Sequence, residues 1–512
     1  MKKLLKLLFS RAVFVSLLLL LQLGLLIFLM LRLSKHFYLF DIGMLLLSLV
    51  AVFYIISRPS NPTYKLAWVV PILAFPVLGG AFYLMTSFQR NVRRFCDRVD
   101  QSIAETVPYL QQEEALLQQL RQCAPQQANL VHYLNQYGGF PMHDHTSVKY
   151  LPLGEEKWKA MLEELEKAQH FIFMEYFIVE EGVMWDSILE ILQRKAAQGV
   201  DVRVMYDGMG CLTLLPFDYP KKLRSMGIQC RVFNPFVPFL SVVQNNRDHR
   251  KILVIDGHTG FTGGINLADE YINHKKVHGH WKDTALLLHG EGVQNLTMLF
   301  LQMWNIHSKE QEDYTQYLPH TWHPEPFPES PGYVLPYGDS PMDRESVGET
   351  VYLETIAKAQ RYVHVTSPYL ILDNEMVTAF STAAKSGVDV KIIVPHIPDH
   401  WYVYAQAQSY YSELLAAGVQ VFEYTPGFIH AKMFVSDDQT AVVGTINLDY
   451  RSLYLHFECA AWMFDCPAVA DIEADFQRTL AQCQRVTPDD CRRIPWPKKM
   501  LNTFLRLFAP LM

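Results

Sequence analysis

The sequence contains the same polar motif twice, and this duplication limits the folds that the chain can adopt. The motif is H-x-K-x4-D, and its members are His249, Lys251 and Asp256 in the first copy and His430, Lys432 and Asp437 in the second. Each His is followed by Gly after 14 residues and by Asn after 17, namely Gly263, Asn266, Gly444 and Asn447. Agreement over so many fixed spacings is improbable by chance. We therefore predict two similar units.

Apolar strands and helices alternate around each motif. In the first copy, FIFMEYFIV at 171–179 reads as a buried strand, a helical stretch follows, and Gly199 precedes a second strand, VDVRVMYD. In the second copy, RYVHVTSPYLIL at 361–372 leads through a helical stretch to Gly387 and VDVKIIVP. This order predicts α/β units with a largely buried sheet. A proline-rich segment near 320–345 is expected to link the two units.

The spacing inside each motif places its basic side chains together. Side chains at positions i and i+2 of a strand share a face, so His249 projects with Lys251, and His430 projects with Lys432. The apolar residues that follow continue each strand into the core. The aspartate of each motif stands at the strand end, before a turn. We group both aspartates with the catalytic motif but expect an orienting or structural role for them.

Two imidazoles, two ammonium groups and two amides suit phosphodiester chemistry if they meet at a domain interface. The transition state carries extra negative charge, which Lys and Asn donors can neutralise without a metal. One imidazole can attack phosphorus to form a phosphohistidine, and the other can protonate the leaving alkoxide. Asp283 and Glu458, which follow the motifs, can hold the imidazoles in the required tautomer. The sequence leaves open which His attacks, and we predict neither a metal nor a cofactor.

Three long uncharged runs precede the repeats, at 12–31, 42–57 and 66–88. About 20 apolar residues are enough to cross a bilayer core as a helix. We therefore predict two or three transmembrane helices within residues 1–90, followed by a helical connector over 91–145. Basic residues are nearly balanced between the two sides of these runs, so the positive-inside rule does not decide their orientation.

The charge distribution separates the N-terminal region from the rest of the chain. Residues 1–100 contain 12 Lys/Arg and 3 Asp/Glu, and the remaining residues contain 33 and 49, so the net charges are +9 and −16. An acidic body is poorly suited to binding nucleic acid, which requires a positive face. The amphipathic tail, 491–512, fits either an interfacial helix on a lipid surface or a terminal packing helix.

Two further groups of residues allow both a functional and a structural interpretation. His274, His278 and His280 could ligate a metal, but no carboxylate or Cys set with suitable spacing accompanies them, which favours a surface loop. Arg451 and Ser452 fit a helix start and a phosphate contact equally well.

The duplicated motif followed by G-x-x-N is the signature of the phospholipase D superfamily, and the chain resembles the bacterial cardiolipin synthases within it. The similarity runs from about residue 42 to the C-terminus and includes NNRDHRKILVIDG (245–257), GGINLADEY (263–271), HWKDT (280–284), GFIHAKMFVSDD (427–438) and VVGTINLDYRS (442–452). The resemblance implies an α/β fold with two phospholipase D-like α/β/α domains, 146–335 and 336–490, packed face to face and preceded by transmembrane helices.

The resemblance also implies a reaction and a set of roles. Two phosphatidylglycerol molecules would react to give cardiolipin and glycerol, in a multi-pass protein of the cell membrane with its catalytic domains at the cytoplasmic face. His249 would be the nucleophile and His430 the general acid/base, and each would pair with the carboxylate of the opposite half. The residues expected to bind phosphate or support the site are Lys251, Lys432, Asn266, Asn447, Gly264, Thr445, Asp283, Glu458, Arg451 and Ser452.

Other functions are compatible with parts of the same pattern. A phospholipase D-type hydrolase would use the same residues with water as acceptor, and another membrane phosphatidyltransferase would use a different alcohol. A nuclease of the superfamily fits the acidic body and the apolar runs less well. A catalytically silent membrane scaffold predicts decay of one motif, whereas both copies are intact. The sequence does not predict the oligomeric state.

Overall fold

The structure is a computed structural model, and it describes residues 38–57, 61–75, 90–236, 242–306, 312–343 and 345–506, with the single residues 20, 21, 24, 27, 28, 31, 32, 83, 308 and 509. In the N-terminal region, helix α1 spans Tyr38–Ser57 and helix α2 spans Pro62–Ala74. No helix in these described ranges is both long and apolar enough to cross a membrane. The predicted run at 12–31 lies mostly outside the described residues, as does most of the run at 66–88 after residue 75.

Three helices connect this region to the first sheet. They are α3 (Arg90–Thr106), α4 (Glu114–Cys123) and α5 (Pro125–Gln136). Leu116, Leu117 and Leu120 of α4 are buried, because their spacing places them on one face of the helix. They belong to a core that also contains strand residues of both repeated units. The connector therefore packs as part of the body of the protein.

The first repeated unit is built on a mixed sheet. Its strands are β1 (Thr146–Leu151), β2 (Phe171–Tyr176), β3 (Asp201–Asp207), β4 (Gln229–Phe233), β5 (Arg247–Asp248), β6 (Lys251–Ile255), β7 (Thr259–Gly263), β8 (His280–Lys282) and β9 (Ala285–Gly290). Its helices are α6 (Gly154–Leu165), α7 (Val183–Ala197), α8 (Tyr219–Ser225) and α9 (Val293–Asn305). All six residues of β2 are buried, as the continuous apolar run predicts.

The second unit follows the short helix α10 (Pro319–Trp322). Its strands are β10 (Tyr333–Asp339), β11 (Tyr362–Thr366), β12 (Asp389–Pro395), β13 (Gln420–Tyr424), β14 (Gly427–Ile429), β15 (Met433–Ser436), β16 (Thr440–Gly444), β17 (His456–Phe464) and β18 (Cys483–Arg485). Its helices are α11 (Val347–Lys358), α12 (Asn374–Lys385), α13 (Trp401–Ala417), α14 (Tyr450–Tyr454), α15 (Pro467–Leu480), α16 (Pro488–Arg493) and α17 (Trp496–Arg506).

The two sheets have the same strand order, which confirms the predicted duplication. The first runs β1-β9-β7-β6-β2-β3-β4, and the second runs β10-β17-β16-β15-β11-β12-β13 with β18 added at the end. Strand β6 begins with the motif residue Lys251 and lies beside β2, the first apolar strand of its unit. Strand β15 begins directly after the motif residue Lys432 and lies beside the corresponding strand β11. The observed fold is thus mixed α/β with two corresponding units.

The second half of the proline-rich segment forms a strand and not a linker. Residues 333–339 form β10, which lies at the edge of the second sheet and pairs with β17. Pro336 is tolerated there because an edge strand needs hydrogen bonds on only one side. The linker is therefore shorter than 320–345.

Two short strands cross between the units. β5 of the first unit pairs in parallel with the start of β17, and β14 of the second unit pairs in parallel with β8. The motif histidines come directly after these crossing strands. Each His is therefore positioned by the backbone of the opposite unit.

Candidate active site

The backbone at each motif His is tied to the other unit. The N–H of His249 donates to the carbonyl of Phe457 (2.9 Å), and the N–H of His430 donates to the carbonyl of Lys282 (2.7 Å). The carboxylates Asp283 and Glu458 each follow one of these carbonyl residues in sequence. The strand crossing therefore delivers each carboxylate to the His of the opposite unit.

His249 is paired with Glu458. Nδ1 of His249 lies 2.9 Å from both carboxylate oxygens, and Glu458 is fully buried. The hydroxyl of Thr445 donates to Oε2 of the same carboxylate. Burial opposes the charge of Glu458, but the contact with His249 and the charge of Lys251 outweigh it and hold the pKa of Glu458 below its usual range.

His430 is paired with Asp283 by an equivalent contact. Nδ1 of His430 lies 2.7 Å from Oδ2 of Asp283, and Oδ1 of that carboxylate accepts the N–H of Thr284 at 2.7 Å. Gly264 occupies the position that Thr445 holds in the other unit. A Cβ at Gly264 would lie 2.2 Å from Oδ1 of Asp283. Only glycine leaves room for this carboxylate.

Burial favours the neutral form of both imidazoles. Burial lowers the pKa of His249 to about 3 and that of His430 to about 4. Because a carboxylate can only accept, Nδ1 of each ring carries the proton. The lone pair of Nε2 is then free on the side away from the carboxylate, which is the tautomer that a nucleophile or a base requires.

The two motif lysines are buried beside the imidazoles. Nζ of Lys251 donates to the carbonyl of His249 (2.5 Å), and Nζ of Lys432 donates to the carbonyl of His430. Burial lowers the pKa of Lys251 to about 8 and that of Lys432 to about 7. An anion between them would favour their charged forms.

The two asparagines have different environments. Oδ1 of Asn266 accepts the N–H of Ile178 (3.0 Å), and its amide donates to the hydroxyl of Tyr271 (2.8 Å). Oδ1 of Asn447 is buried and has no hydrogen-bond partner among the described residues. The asparagine of the second unit therefore retains unused hydrogen-bonding capacity.

Arg451 and Ser452 differ in their position relative to the cavity. Both lie in helix α14, where the N–H of Ser452 donates to Oδ1 of Asp449, so Ser452 is part of a capped helix start. Arg451 lines the same cavity as the two imidazoles.

The motif aspartates lie outside this cluster, which corrects their grouping with the catalytic residues. The carboxylate of Asp256 accepts three backbone N–H groups from residues 169–171, and that of Asp437 accepts three from residues 360–362, all at 2.7–2.9 Å. Both have positive φ, which Asp tolerates in a turn. Since strand β6 separates Asp256 from the motif Lys by about 16 Å, these residues tie neighbouring strands together.

Both imidazoles open onto one cavity of about 560 Å³. Its walls include His249, His430, Asn266, Asn447 and Arg451, so side chains of both units face the same space. The volume lies in the range of ordinary small-molecule sites. The two imidazoles therefore share one ligand-sized space.

The described part of the chain gives little support to a metal site at His274, His278 and His280, which was the alternative to a surface loop. Nδ1 of His280 lies 3.0 Å from the hydroxyl of Tyr424, and His278 packs near Phe428. The close groups of possible ligands do not include His274, His278 or His280. A different trio, His249, His456 and Glu458, has ligand atoms within 4.8 Å of one another. His456 is not among the site residues predicted from the sequence. His456 lies two residues before Glu458 and on the same face of the strand, and this spacing is the signal that could have identified it.

Comparison with known proteins identifies the family. The family model described as "Cardiolipin synthase, PLD-like domain" matches residues 161–304 and 352–480, and the one described as "Phospholipase_D-nuclease N-terminal" matches residues 46–87. A cardiolipin synthase of Geobacillus thermodenitrificans is 35% identical over 470 residues, which cover 91% of this chain and 92% of that protein. An uncharacterized protein of Streptococcus mutans is 47% identical over 462 residues, covering 90% and 99%.

The fold is also found in a solved structure. The crystal structure of phosphatidylserine synthase from Haemophilus influenzae Rd KW20 superposes with a TM-score of 0.54 at 14% identity, covering 71% of this chain and 94% of that one. The family model and the Geobacillus relative together cover the two repeated units and most of the chain. This chain accordingly belongs to the cardiolipin synthase family of proteins with phospholipase D-like domains.

Proposed function

We propose that this protein is a cardiolipin synthase, which transfers the phosphatidyl group of one phosphatidylglycerol to a second and releases glycerol. Family membership supports the reaction. The observation that carries the proposal is geometric: two imidazole–carboxylate pairs, each assembled from both units, open onto one cavity. Such a pair of opposed imidazoles fits an in-line displacement at phosphorus.

In the first step, Nε2 of His249 attacks phosphorus. The phosphorus–nitrogen bond forms as the bond from phosphorus to the headgroup oxygen breaks, and His430 gives its proton to the leaving glycerol. The negative charge of the bound phosphodiester favours the protonated form of His430, whereas burial alone disfavours it.

In the second step, the neutral His430 takes the proton of a headgroup hydroxyl on a second phosphatidylglycerol. That oxygen attacks phosphorus, the phosphorus–nitrogen bond breaks, and His249 is restored. Glu458 stabilises the His249 ring in both steps because it stays ionised against Nδ1. The order of the two histidines rests on the family resemblance.

Lys251, Lys432, Asn266 and Asn447 supply the donors for the equatorial phosphoryl oxygens. The ammonium groups are already held beside the imidazoles by backbone carbonyls, so they need little reorganisation when charge develops. Gly264 and Thr445 act indirectly, because they shape the environment of the two carboxylates.

We further propose that the protein is a multi-pass membrane protein whose catalytic units lie at the cytoplasmic face. Helix α2 contacts α14 close to the cavity: the amide of Asn61 donates to the hydroxyl of Tyr454 (3.0 Å), and the hydroxyl of Tyr450 donates to Thr63 (3.2 Å). This docking supports a cavity mouth near the apolar N-terminal region.

The C-terminal helix supports the same location. One face of α17 packs on α13, where Arg506 lies over the ring of Tyr410 at 4.1 Å. The other face exposes Trp496, Met500 and Phe504. Lys498 and Lys499 lie between them in sequence and can contact anionic headgroups.

The test is a product analysis. Membranes containing the protein receive labelled phosphatidylglycerol, and we expect labelled cardiolipin with an equal amount of free glycerol. Phosphatidic acid as the sole product would make the protein a hydrolase and contradict the proposal. Membranes containing the His430→Ala variant provide the background for other enzymes.

A further inference from the structure

A histidine of the cavity, His456, belongs to neither repeated motif. His456 begins β17 and lines the cavity beside His249, with 5.6 Å between the ring centroids. Its side chain is only 10% exposed. Neither ring nitrogen has a hydrogen-bond partner in the part of the chain that the structure describes. Nδ1 lies 3.8 Å from Oε1 of Glu458, beyond hydrogen-bonding distance.

A second unused polar atom belongs to another residue that lines the same cavity. Asn447 is one of its lining residues, and the buried Oδ1 of Asn447 is also unpartnered among the described residues. Its counterpart Asn266 is engaged at both ends of its amide. Buried polar atoms are normally paired, so the unpaired atoms of residues that line this cavity, which also include Nε1 of Trp281 and Oε2 of Glu270, indicate a place for a polar ligand.

The matching position in the first unit is a tryptophan, whose Nε1 is also buried without a hydrogen-bond partner among the described residues. The strand registers align the two sheets so that Asp283 corresponds to Glu458 and Trp281 corresponds to His456. The ring of Trp281 lies 5.7 Å from that of His430. The cavity therefore has an indole, which can only donate, beside one catalytic imidazole and a further imidazole, which can also accept, beside the other.

The unused atoms define the chemistry of the ligand. A neutral imidazole offers one donor and one acceptor, and an amide oxygen offers only an acceptor. A hydroxyl group both donates and accepts, so it can satisfy His456 and Asn447 together. A non-bridging phosphate oxygen has no proton to donate to Oδ1 of Asn447.

We propose that His456 and Asn447 bind a hydroxyl of the glycerol headgroup, so that His456 selects polyol headgroups. This inference rests on the proposed function and specifies the headgroup contact of the same site. His456 is a specificity residue in this scheme, because His249 and His430 can act on a phosphodiester with or without a headgroup hydroxyl.

The test compares two donor lipids in three variants. Phosphatidylglycerol carries headgroup hydroxyls, and phosphatidyl-p-nitrophenol carries none. In His456→Phe we expect KM for phosphatidylglycerol to rise about tenfold, the effect of one lost hydrogen bond, with an unchanged KM for the nitrophenyl ester. His456→Asn, which keeps a donor and an acceptor, should restore most of the affinity for phosphatidylglycerol. Trp281→Phe removes the indole N–H beside His430, and it should leave the ratio of the two KM values unchanged because the proposal places the hydroxyl on the His456 side.

Several results would overturn the proposal. Equal losses on both donors in His456→Phe would mean a general structural role, and no loss on either would mean no contact. Because His249, His456 and Glu458 could also hold a divalent cation, each assay is repeated with EDTA and with added Zn²⁺. A preference that disappears with EDTA would assign His456 to a metal instead. A wild-type protein that cleaves the nitrophenyl ester but forms no cardiolipin would contradict the proposed function, independently of His456.

Discussion

The two halves of the active site contain the same reacting groups in different surroundings. Each has an imidazole hydrogen-bonded to a carboxylate of the other unit. The carboxylate facing His249 is a Glu that also accepts the hydroxyl of Thr445, whereas the one facing His430 is an Asp that fits only because residue 264 is Gly. The duplication has kept the groups that we propose act on phosphorus and changed the residues that hold them. The two imidazoles are therefore chemically distinct, and substitutions in the two halves should have different effects.

Removing each imidazole should give the largest effect and the clearest difference. His249→Ala should lose about 10⁶-fold in kcat on every donor, because no nucleophile remains. His430→Ala should lose about 10²–10⁴-fold on phosphatidylglycerol but far less on phosphatidyl-p-nitrophenol, whose leaving group needs no acid. Mass spectrometry after an alkaline quench should find the phosphatidyl group on His249 in the second variant. The opposite pattern would exchange the roles of the two histidines.

Gly264→Ala should damage the His430 half. The new Cβ would meet the Asp283 carboxylate, which must move away from Nδ1 of His430. A displacement of this kind costs about 100-fold in kcat. Circular dichroism melting serves as the control for folding. Activity close to wild type would show that the Asp283 carboxylate does not need its present position.

Each motif lysine should cause a separate step in the pH dependence of KM. Burial lowers both lysine pKa values, so Lys432 loses its charge as pH rises through about 7 and Lys251 as it rises through about 8. KM for phosphatidylglycerol should therefore increase above pH 7, by about tenfold per pH unit for each lysine that has titrated. Lys432→Met should remove the step near pH 7 and keep the one near pH 8, and Lys251→Met should do the reverse. Unaltered profiles in both variants would assign the pH dependence to other groups.

Thr445→Val should give the smallest effect. The change keeps the shape of the side chain but removes the hydroxyl that donates to Glu458. Loss of one hydrogen bond to a charged group predicts a decrease in kcat of about tenfold. A decrease as large as that of Gly264→Ala would mean that the two halves tolerate disturbance equally, which contradicts the asymmetry described above.

The sequence predicted the duplicated α/β fold because the fixed spacing of His, Lys, Gly and Asn constrains the register of several strands at once. The cross-pairing of His249 with Glu458 followed only from the family resemblance. The strands that create it, β5 and β14, contain two and three residues and have no detectable periodicity. The structural role of Asp256 depends on backbone groups about 85 residues away. Local pattern does not indicate which distant strand an aspartate will meet, or which buried atom will remain unpaired.

The crossing of β5 and β14 means that formation of an active enzyme requires both units together. Neither unit alone contains a complete imidazole–carboxylate pair, because each pair spans the contact between them. If the chain were divided in the linker and the two pieces were produced as separate polypeptides, each would be inert, and turnover would emerge only upon their association, in proportion to the product of their concentrations.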